Sequence, residues 1–293
     1  DDATAAAQAL INGQVDVMAP SATAALVQRL KGASSRVTLR NAPQASYELI
    51  YAKYDGAAWR GMSEAKANDL RRAFLLTVPR QEMVEKLIDP VSPGAKTLDS
   101  ITPYFGTSPF YKRMVDGSGI KPYLASEATR LAEARRLLAK HGYSTSNPFK
   151  VKVMWGLPSN ERRSGQMALI KAAAAKVGIE AESFANPTWS TDLNNPVADF
   201  QFHAYSQTSS YYTGLSTLWG FNEATNTFRP GNRGKWKNLK TEEALQRHFK
   251  DLTSEQAFRA NLDFEKEWYK DAVGLPLFQF PGITAHSRNL KGI

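Results

Sequence analysis

The chain has 293 residues, of which 42% are hydrophobic and 22% charged, a composition that excludes a disordered or membrane-embedded protein. It has no cysteine, which excludes disulfides, thiolate metal sites and a cysteine nucleophile. The formal charge of +9 comes from small, scattered basic groups, which indicate a solvated surface rather than a nucleic-acid interface.

The first predicted elements are helix, strand, helix, strand and strand. Two helical patterns, ATAAAQALING and ATAALVQRLKG, lie on either side of the short strand QVDVMA, and Ser21 is the predicted cap of the second helix. The segments RVTLRNA and YELIYAKY then alternate as two strands. This order predicts a parallel strand pairing with a right-handed crossover.

The next part of the chain is mainly helical. The pattern SEAKANDLRRAFLLTV predicts one helix, and Pro79 opens another, because proline is tolerated in a first helical turn. A segment rich in Pro, Gly and Ser follows, from Pro90 to about Pro122. It is too long for a plain connection, so we expect it to be ordered and to wrap the surface.

A second strand–helix–strand unit follows the helix that Ser126 caps. It consists of the strand FKVKVMW, the helix SNERRSGQMALIKAAAAKVG and the strand IEAESF. Arg162 and Arg163 at the start of this helix are predicted to form a solvated helix end, with a carboxylate contact as the alternative. Two late helices, the second opened by a Thr253–Gln256 capping box, and the buried strand LPLFQF complete the α/β class.

The stretch between Asp199 and Glu223 has 23 residues without a charge, and seven of them are aromatic. Phe200 and Phe202 are interpreted as core residues of a strand. The segment from Tyr205 onward is rich in Ser, Thr and Gln, which argues against a fully buried core because each buried polar group needs a partner. A loop that lines a binding cleft accounts for both features. The predicted ligand contacts are Tyr205, Gln207, Thr208, Tyr211 and Tyr212, then Trp219 and Asn222, and more weakly Trp189.

Catalytic and metal-binding patterns are not found in the sequence. The four histidines are widely separated, no phosphate-binding or dinucleotide glycine pattern follows a strand, and no Gly-x-Ser-x-Gly elbow is present. The acidic pairs lie on amphipathic helices, where solvated faces explain them. We therefore expect a binding protein without enzymatic activity, metal or cofactor.

Five segments together resemble one family, the dipeptide/oligopeptide-binding type of solute-binding protein of ABC importers (family 5). They occur in the family's order and spread over nearly the whole chain, although each is weak alone. The five segments are AQALINGQVDVMAPSATAALVQRLKG, LRRAFLLTVPRQEMVEKL, EARRLLAKHGY, NRGKWKNLKTEEAL and LPLFQFPGITAHSRNLKGI.

The resemblance implies a two-lobed periplasmic-binding-protein-like fold, one lobe near complete and the other only partly present. Residues 1–46 would be the C-terminal part of the first lobe, residues 47–274 the second lobe, and residues 275–293 the return to the first. The implied function is an extracytoplasmic subunit that binds peptides or a related organic solute between the lobes and delivers it to ABC permease subunits. The implied location is the periplasm or the cell surface as a lipoprotein, with the signal segment absent from this chain, which starts at Asp1 without Met.

The chain departs from the family pattern where a peptide's amino terminus would bind. The resemblance implies an aspartate there, but the matching positions are Tyr205 and Thr208, and a further aspartate–proline falls at about Tyr211–Tyr212. Pro79 also replaces an aspartate before Arg80. A free-amine dipeptide is therefore expected to bind poorly. The expected ligands are a blocked or long peptide, an opine-like conjugate or an oligosaccharide.

Two rival functions and one association remain open from the sequence. An oligosaccharide-binding or carbohydrate-acting protein would bind or turn over sugars, and a nucleic-acid binder would lose affinity steeply with salt. We also expect that the incomplete lobe exposes strand edges, through which the chain self-associates, or is disordered at its ends.

Overall fold

The fold is mixed α/β, as predicted, in a computed structural model that describes residues 3–20, 23–102, 106–156, 158–193, 200–208, 215, 218–250 and 253–291. At positions 43, 45, 204–208, 248 and 249 only the backbone is described. The strands are β1 (Val17–Met18), β2 (Val37–Ala52), β3 (Phe149–Gly156), β4 (Ile179–Asn186), β5 (Phe202–Thr208), β6 (Phe221–Asn222), β7 (Thr227–Phe228) and β8 (Gly274–Ser287).

The helices precede, connect and follow these strands. Their bounds are α1 (Ala3–Ile11), α2 (Ala24–Gly32), α3 (Glu64–Thr77), α4 (Arg80–Met83, continued by a π-helical turn over Val84–Ile88), α5 (Tyr111–Gly117), α6 (Lys121–Leu124), α7 (Glu127–Ala139), α8 (Glu161–Ala175), α9 (Trp189–Asp192), α10 (Leu239–Lys250) and α11 (Ser254–Lys270). Over the part of the chain that the structure describes, no helix is both long and apolar enough to cross a membrane.

Local hydrogen bonds explain where several helices begin. The side chains of Ser126 and Thr253 accept hydrogen bonds from backbone amides three residues later, as predicted for both caps. Thr23, rather than the predicted Ser21, caps α2 by accepting from the Leu26 amide, and Ser21 lies outside the described residues. The predicted connection after Pro90 contains α5 and α6.

A six-stranded sheet organises the chain in the order β1-β8-β2-β5-β3-β4. β3 pairs in parallel with both β4 and β5, whereas β2 pairs antiparallel with β5 and β8. The predicted second strand–helix–strand unit is therefore confirmed, with α8 between the parallel neighbours β3 and β4.

The predicted direct pairing in the first unit is wrong. β1 pairs antiparallel with β8, which lies between β1 and β2 in the sheet. The segments RVTLRNA and YELIYAKY also form one strand, β2, instead of two. Its pairing with β8 is irregular between Pro43 and Tyr47, which is where the sequence pattern suggested a break.

Two hydrophobic cores lie along β2 and β8. The larger core contains Leu49 of β2 and Leu277 of β8, together with side chains of α3, α7, α8 and α11. The smaller core contains Val37 of β2 and Ile283 of β8, packed with α1 and α2. Residues 40–46 of β2 and 279–282 of β8 connect the two cores and are called the crossing segment below.

The two hydrophobic cores do not determine at which residues the predicted lobes begin and end. β8 begins at Gly274, and Leu275 and Leu277 still pack with the larger core. Phe278 also belongs to the larger core, whereas Ile283 packs with the smaller one. The divisions after residues 46 and 274 stay predictions about the lobes of the protein.

Candidate functional site

The carboxyl ends of three parallel strands meet at one edge of the sheet. β3 ends at Gly156, β4 at Asn186 and β5 at Thr208. Ligands of open α/β sheets bind in the crevice outside such carboxyl ends. α8 begins a few residues after β3, and its Asn160 cap accepts a hydrogen bond from the Arg163 amide at 3.1 Å. This edge is the candidate site.

Two arginines of α8 share one buried carboxylate at this edge. Arg163 Nε donates to Glu48 Oε1 at 2.9 Å, and Arg162 Nη1 donates to Glu48 Oε2 at 3.1 Å. Arg163 and Glu48 are buried, and the Arg162 side chain is only 19% exposed. The predicted solvated helix end is wrong, because the helix starts directly over Glu48 of β2. Both arginines instead contact a carboxylate, that of Glu48, which was the alternative.

The pair of arginines controls the charge of Glu48. Burial alone would raise the pKa of Glu48, but the Arg162 and Arg163 guanidiniums outweigh it and hold that pKa below its ordinary value. Glu48 is therefore ionised at neutral pH. Burial in turn lowers the pKa of Arg162, with Glu48 opposing that shift. The cluster thus holds two positive charges and one negative charge.

Arg162 has hydrogen-bonding capacity that the described residues do not use. Its Nη1 donates to Glu48 and, at 3.0 Å, to Gln166 Oε1. In the described part of the chain, its Nε and Nη2 groups have no hydrogen-bond acceptor, and part of the side chain reaches the surface. A guanidinium presents five donors in a fork that suits a carboxylate or phosphate. Arg162 is therefore a ready anchor for an anionic ligand group.

Trp189 lies beside this cluster, directly after β4. Its indole ring stacks on the His203 ring, with centroids 6.0 Å apart and an interplanar angle of 19°. The Arg233 guanidinium lies 5.7 Å from the centroid of the Trp189 ring. Gly156 makes this position possible, because a Cβ on that residue would lie 2.4 Å from Trp189 Cδ1. Trp189 is half-buried at the candidate edge, and its ligand contact stays a prediction.

His203 is a buried, neutral member of the same group. Burial and the nearby charges of Arg163 and Arg233 hold its pKa well below the ordinary value. Its ring also packs edge-on against Tyr51, with centroids 5.5 Å apart. His203 is fully buried in the core of the sheet.

The predicted contacts at Tyr205, Gln207 and Thr208 lie on β5. These positions pair with Leu49, Tyr47 and Ser46 of β2, so the expected loop after Tyr205 is wrong as far as Thr208. The strand continues because β2 offers a long partner on that side. The side chains at these positions, like Tyr211 and Tyr212 as a whole, lie outside what the structure describes, so their ligand contacts stay predictions.

Trp219 and Asn222 have different environments. Trp219 is 4% exposed and packs edge-on against Tyr51 and Trp268, with centroids 5.6 and 5.7 Å apart. The structure therefore places Trp219 in the core, although its polar sequence context argued against burial. Asn222 is half-buried on β6, where its side chain accepts from the Thr225 amide at 3.3 Å. Their roles as ligand contacts stay predictions.

Two other features of the described residues do not change this site. No group of three or more His, Cys, Asp or Glu side chains in that part of the chain could hold a metal ion. A groove of about 340 Å³ lies at the opposite, amino ends of β3 and β4, where it is lined by Lys150, Lys152, Glu180 and Glu182. Lys150 and Glu180 form an ion pair across it at 3.7 Å, as expected of a solvated charged face.

The sequence did not identify Glu48 as a site residue, and it predicted a solvated helix end at Arg162. The available signal was one acid, Glu48, in the otherwise apolar strand segment YELIYA. A carboxylate in a strand of that kind needs a buried cationic partner. Its partner Arg163 lies on α8, 115 positions away in the sequence, and no local pattern connects Glu48 with Arg163.

Comparison with known proteins places the chain in a structural context. Residues 1–229 match the family model of bacterial extracellular solute-binding proteins, family 5 (Middle). No curated protein is significantly similar to the chain. Similar solved structures include the periplasmic EDTA-binding protein EppA, with a TM-score of 0.80 and 17% identity over 97% of this chain and 52% of that one.

Two further solved structures show the same fold. NikA from Staphylococcus aureus in complex with Ni(L-His)2 has a TM-score of 0.74 and 16% identity over 99% of this chain and 57% of that one. The oligopeptide-binding protein AppA from Bacillus subtilis in complex with a nonapeptide has a TM-score of 0.72 and 16% identity over 100% of this chain and 55% of that one. The chain thus spans about half the length of the structures it matches. The two-lobed solute-binding fold expected from the sequence is confirmed, with part of it present.

Proposed function

The chain belongs to the bacterial extracellular solute-binding proteins of family 5, and we propose that it binds an anionic organic solute as the binding subunit of an ABC importer. In this proposal it works outside the cytoplasm, in the periplasm or as a cell-surface lipoprotein, and delivers its ligand to membrane permease subunits. It binds without catalysis. The bound solute lies at the carboxyl edge of β3, β4 and β5, between this lobe and the other.

The free edge of the Arg162 guanidinium carries the proposal. Arg162 and Arg163 together bring two positive charges against the single carboxylate of Glu48. A partly buried guanidinium with unused donors binds a carboxylate more strongly than an exposed one, because water competes less for the donors. An anionic group of the ligand would complete the charge balance of this cluster.

The ligand type does not follow from the fold. The similar structures are an EDTA-binding protein and complexes with Ni(L-His)2 and with a nonapeptide, ligands that differ in size and charge. The charge at Arg162 favours an acidic solute among them. The absence of an aspartate at Tyr205 and Thr208 points the same way, because a free ammonium group would have no acid at those positions.

Native mass spectrometry of the full-length protein tests this function. We expect the purified protein to carry a small molecule that has at least one carboxylate or phosphate group. The variant Arg162→Gln should lose it, while Arg135→Gln, whose guanidinium donates to the Lys176 carbonyl on an exposed surface, should keep it. A neutral oligosaccharide that both variants retain would contradict the proposal, as would turnover of the bound molecule.

A further inference from the structure

The ladder between β2 and β8 is interrupted within the crossing segment. Pro43 of β2 stands directly opposite Pro281 of β8, and Tyr47 stands opposite Gln279, so β2 carries extra residues around Phe280. Proline has no N–H group, and a bulge locally disrupts a ladder. The connection between the two cores therefore has few backbone hydrogen bonds at this point.

Side-chain contacts link the strands where backbone hydrogen bonds of the ladder are missing. The Gln279 Nε2 donates to the Gln44 carbonyl at 2.6 Å, across the bulge. The Arg162 guanidinium carbon lies 4.5 Å from the centroid of the Phe280 ring and 5.7 Å from that of Phe278. The Phe280 stack is a cation–π contact, which strengthens where water is excluded. It joins α8, which packs in the larger core, to β8 at the interruption.

Arg162 also contacts the other crossing strand. Its Nη1 donates to Glu48, one residue beyond Tyr47 and directly before a second irregularity in the pairing of β2 with β8. One guanidinium therefore touches β2 through Glu48 and β8 through Phe280. The Nε and Nη2 donors of the same group have no acceptor among the described residues.

We propose that Arg162 is a positioning residue that fixes the crossing segment through Phe280 and Glu48 and links its geometry to the ligand. An anionic group that binds the free edge of Arg162 holds the guanidinium in one orientation, and the Phe280 ring and the bulge are held with it. The relative placement of the two cores thereby depends on whether the ligand's anion is present. This dependence on the ligand rests on the proposed function, whereas the contact with the crossing segment does not.

Hydrogen exchange of the ligand-free, full-length protein, refolded from denaturant, tests the contact itself. In Phe280→Leu, amides of residues 46–49 and 278–283 should exchange about fivefold faster, the factor that corresponds to a cation–π contact of ~1 kcal/mol. Phe280→Tyr keeps an aromatic face and should restore the wild-type rate. Phe228→Leu, which removes a ring 5.3 Å from Lys235 Nζ on the β6–β7 hairpin, is the matched control and should leave these amides unchanged.

The partner residue gives the decisive comparison. Arg162→Gln should raise exchange at the same amides. At residues 278–283 of β8, where both changes break the Phe280 contact, adding it to Phe280→Leu should increase the rate little further. Fully additive effects, or Phe280→Tyr exchanging as fast as Phe280→Leu, would overturn the proposal. Because no ligand is present, such a result would leave the proposed anionic ligand untouched, and loss of ligand from Arg162→Gln would remain its separate test.

Discussion

Arg163 Nε donates a 2.9 Å hydrogen bond to Glu48 Oε1 and thereby ties the first turn of α8 to the middle of β2. Both side chains are buried, and Arg162 occupies the second oxygen of the same carboxylate. A buried ion pair of this kind stabilises little relative to an apolar pair, but removing one partner leaves a buried charge without compensation. The contact therefore makes the start of α8 dependent on Glu48.

Glu48→Gln should destabilise the protein by about 3–5 kcal/mol, because two buried guanidiniums lose their carboxylate. Urea denaturation at neutral pH measures this loss. Glu180→Gln is the control, since the Glu180 side chain is 58% exposed and its pair with Lys150 is a surface contact. A loss below about 1 kcal/mol, the range of exposed pairs, would show that Glu48 is not needed to compensate the arginines.

The same residue should make stability fall in acid. The folded-state pKa of Glu48 is lowered, so its contribution is present above the ordinary carboxyl pKa of about 4.3 and is lost as pH falls through the folded value. Denaturation between neutral pH and pH about 3 should show this loss in the wild type and a smaller one in Glu48→Gln. Parallel pH profiles for the two proteins would contradict the prediction.

Glu265 of α11 should have the opposite effect. It is fully buried, and its Oε1 accepts from the Ile101 and Thr102 amides at 3.0 and 2.9 Å. Burial raises the pKa of Glu265, although hydrogen bonds from Ser100 and Thr102 oppose the shift. Its folded-state pKa is above the unfolded value, so its contribution is present at low pH and is lost as pH rises through the folded value.

Glu265→Gln removes the titrating group but keeps an oxygen acceptor for the residue 100–102 segment. The wild type should lose stability as pH rises from the ordinary carboxyl range towards neutrality, and Glu265→Gln should lose less over the same range. Thermal unfolding in a pH series measures the two slopes. An unchanged slope would indicate that Glu265 does not titrate in this range.

Gly156→Ala should displace Trp189. The new Cβ would lie 2.4–2.7 Å from three indole atoms, so the ring must leave its stack on His203. Overpacking of this kind costs about 1–3 kcal/mol. Near-ultraviolet circular dichroism should change with Gly156→Ala and stay the same with Gly106→Ala, where a Cβ meets nothing within 4 Å. Identical spectra for wild type and Gly156→Ala would place Trp189 elsewhere.

The sequence predicted those parts of the fold whose signals are local. The unit β3–α8–β4 follows from alternating strands around an amphipathic helix. Phe200 and Phe202 are buried as expected, although Phe200 precedes β5 and only Phe202 lies on that strand. The neighbour of β1 was not predictable in the same way. Its partner β8 is more than 250 positions later, and nothing in either strand states that β8 inserts between β1 and β2.

The sequence indicated the edge of the sheet where the candidate site lies, but not the charged residues that form it. The uncharged stretch after Asp199 pointed to the edge where β5 ends, and Trp189 lies at that edge. The cluster of Arg162, Arg163 and Glu48 was not predicted, because an arginine at the start of a helix is usually solvated. Tertiary contacts with Glu48 of β2 and Phe280 of β8 bury Arg162, and they depend on the pairing of β2 between β5 and β8.

The most direct test of the ligand site is a crystal structure of the full-length protein with its co-purified ligand. We expect a carboxylate or phosphate oxygen within hydrogen-bonding distance, about 2.7–2.9 Å, of Arg162 Nη2 or Nε, with Glu48 still bound to Arg162 Nη1. A ligand that is neutral, or whose acidic group binds elsewhere while the free edge of Arg162 faces only water, would contradict the proposed function.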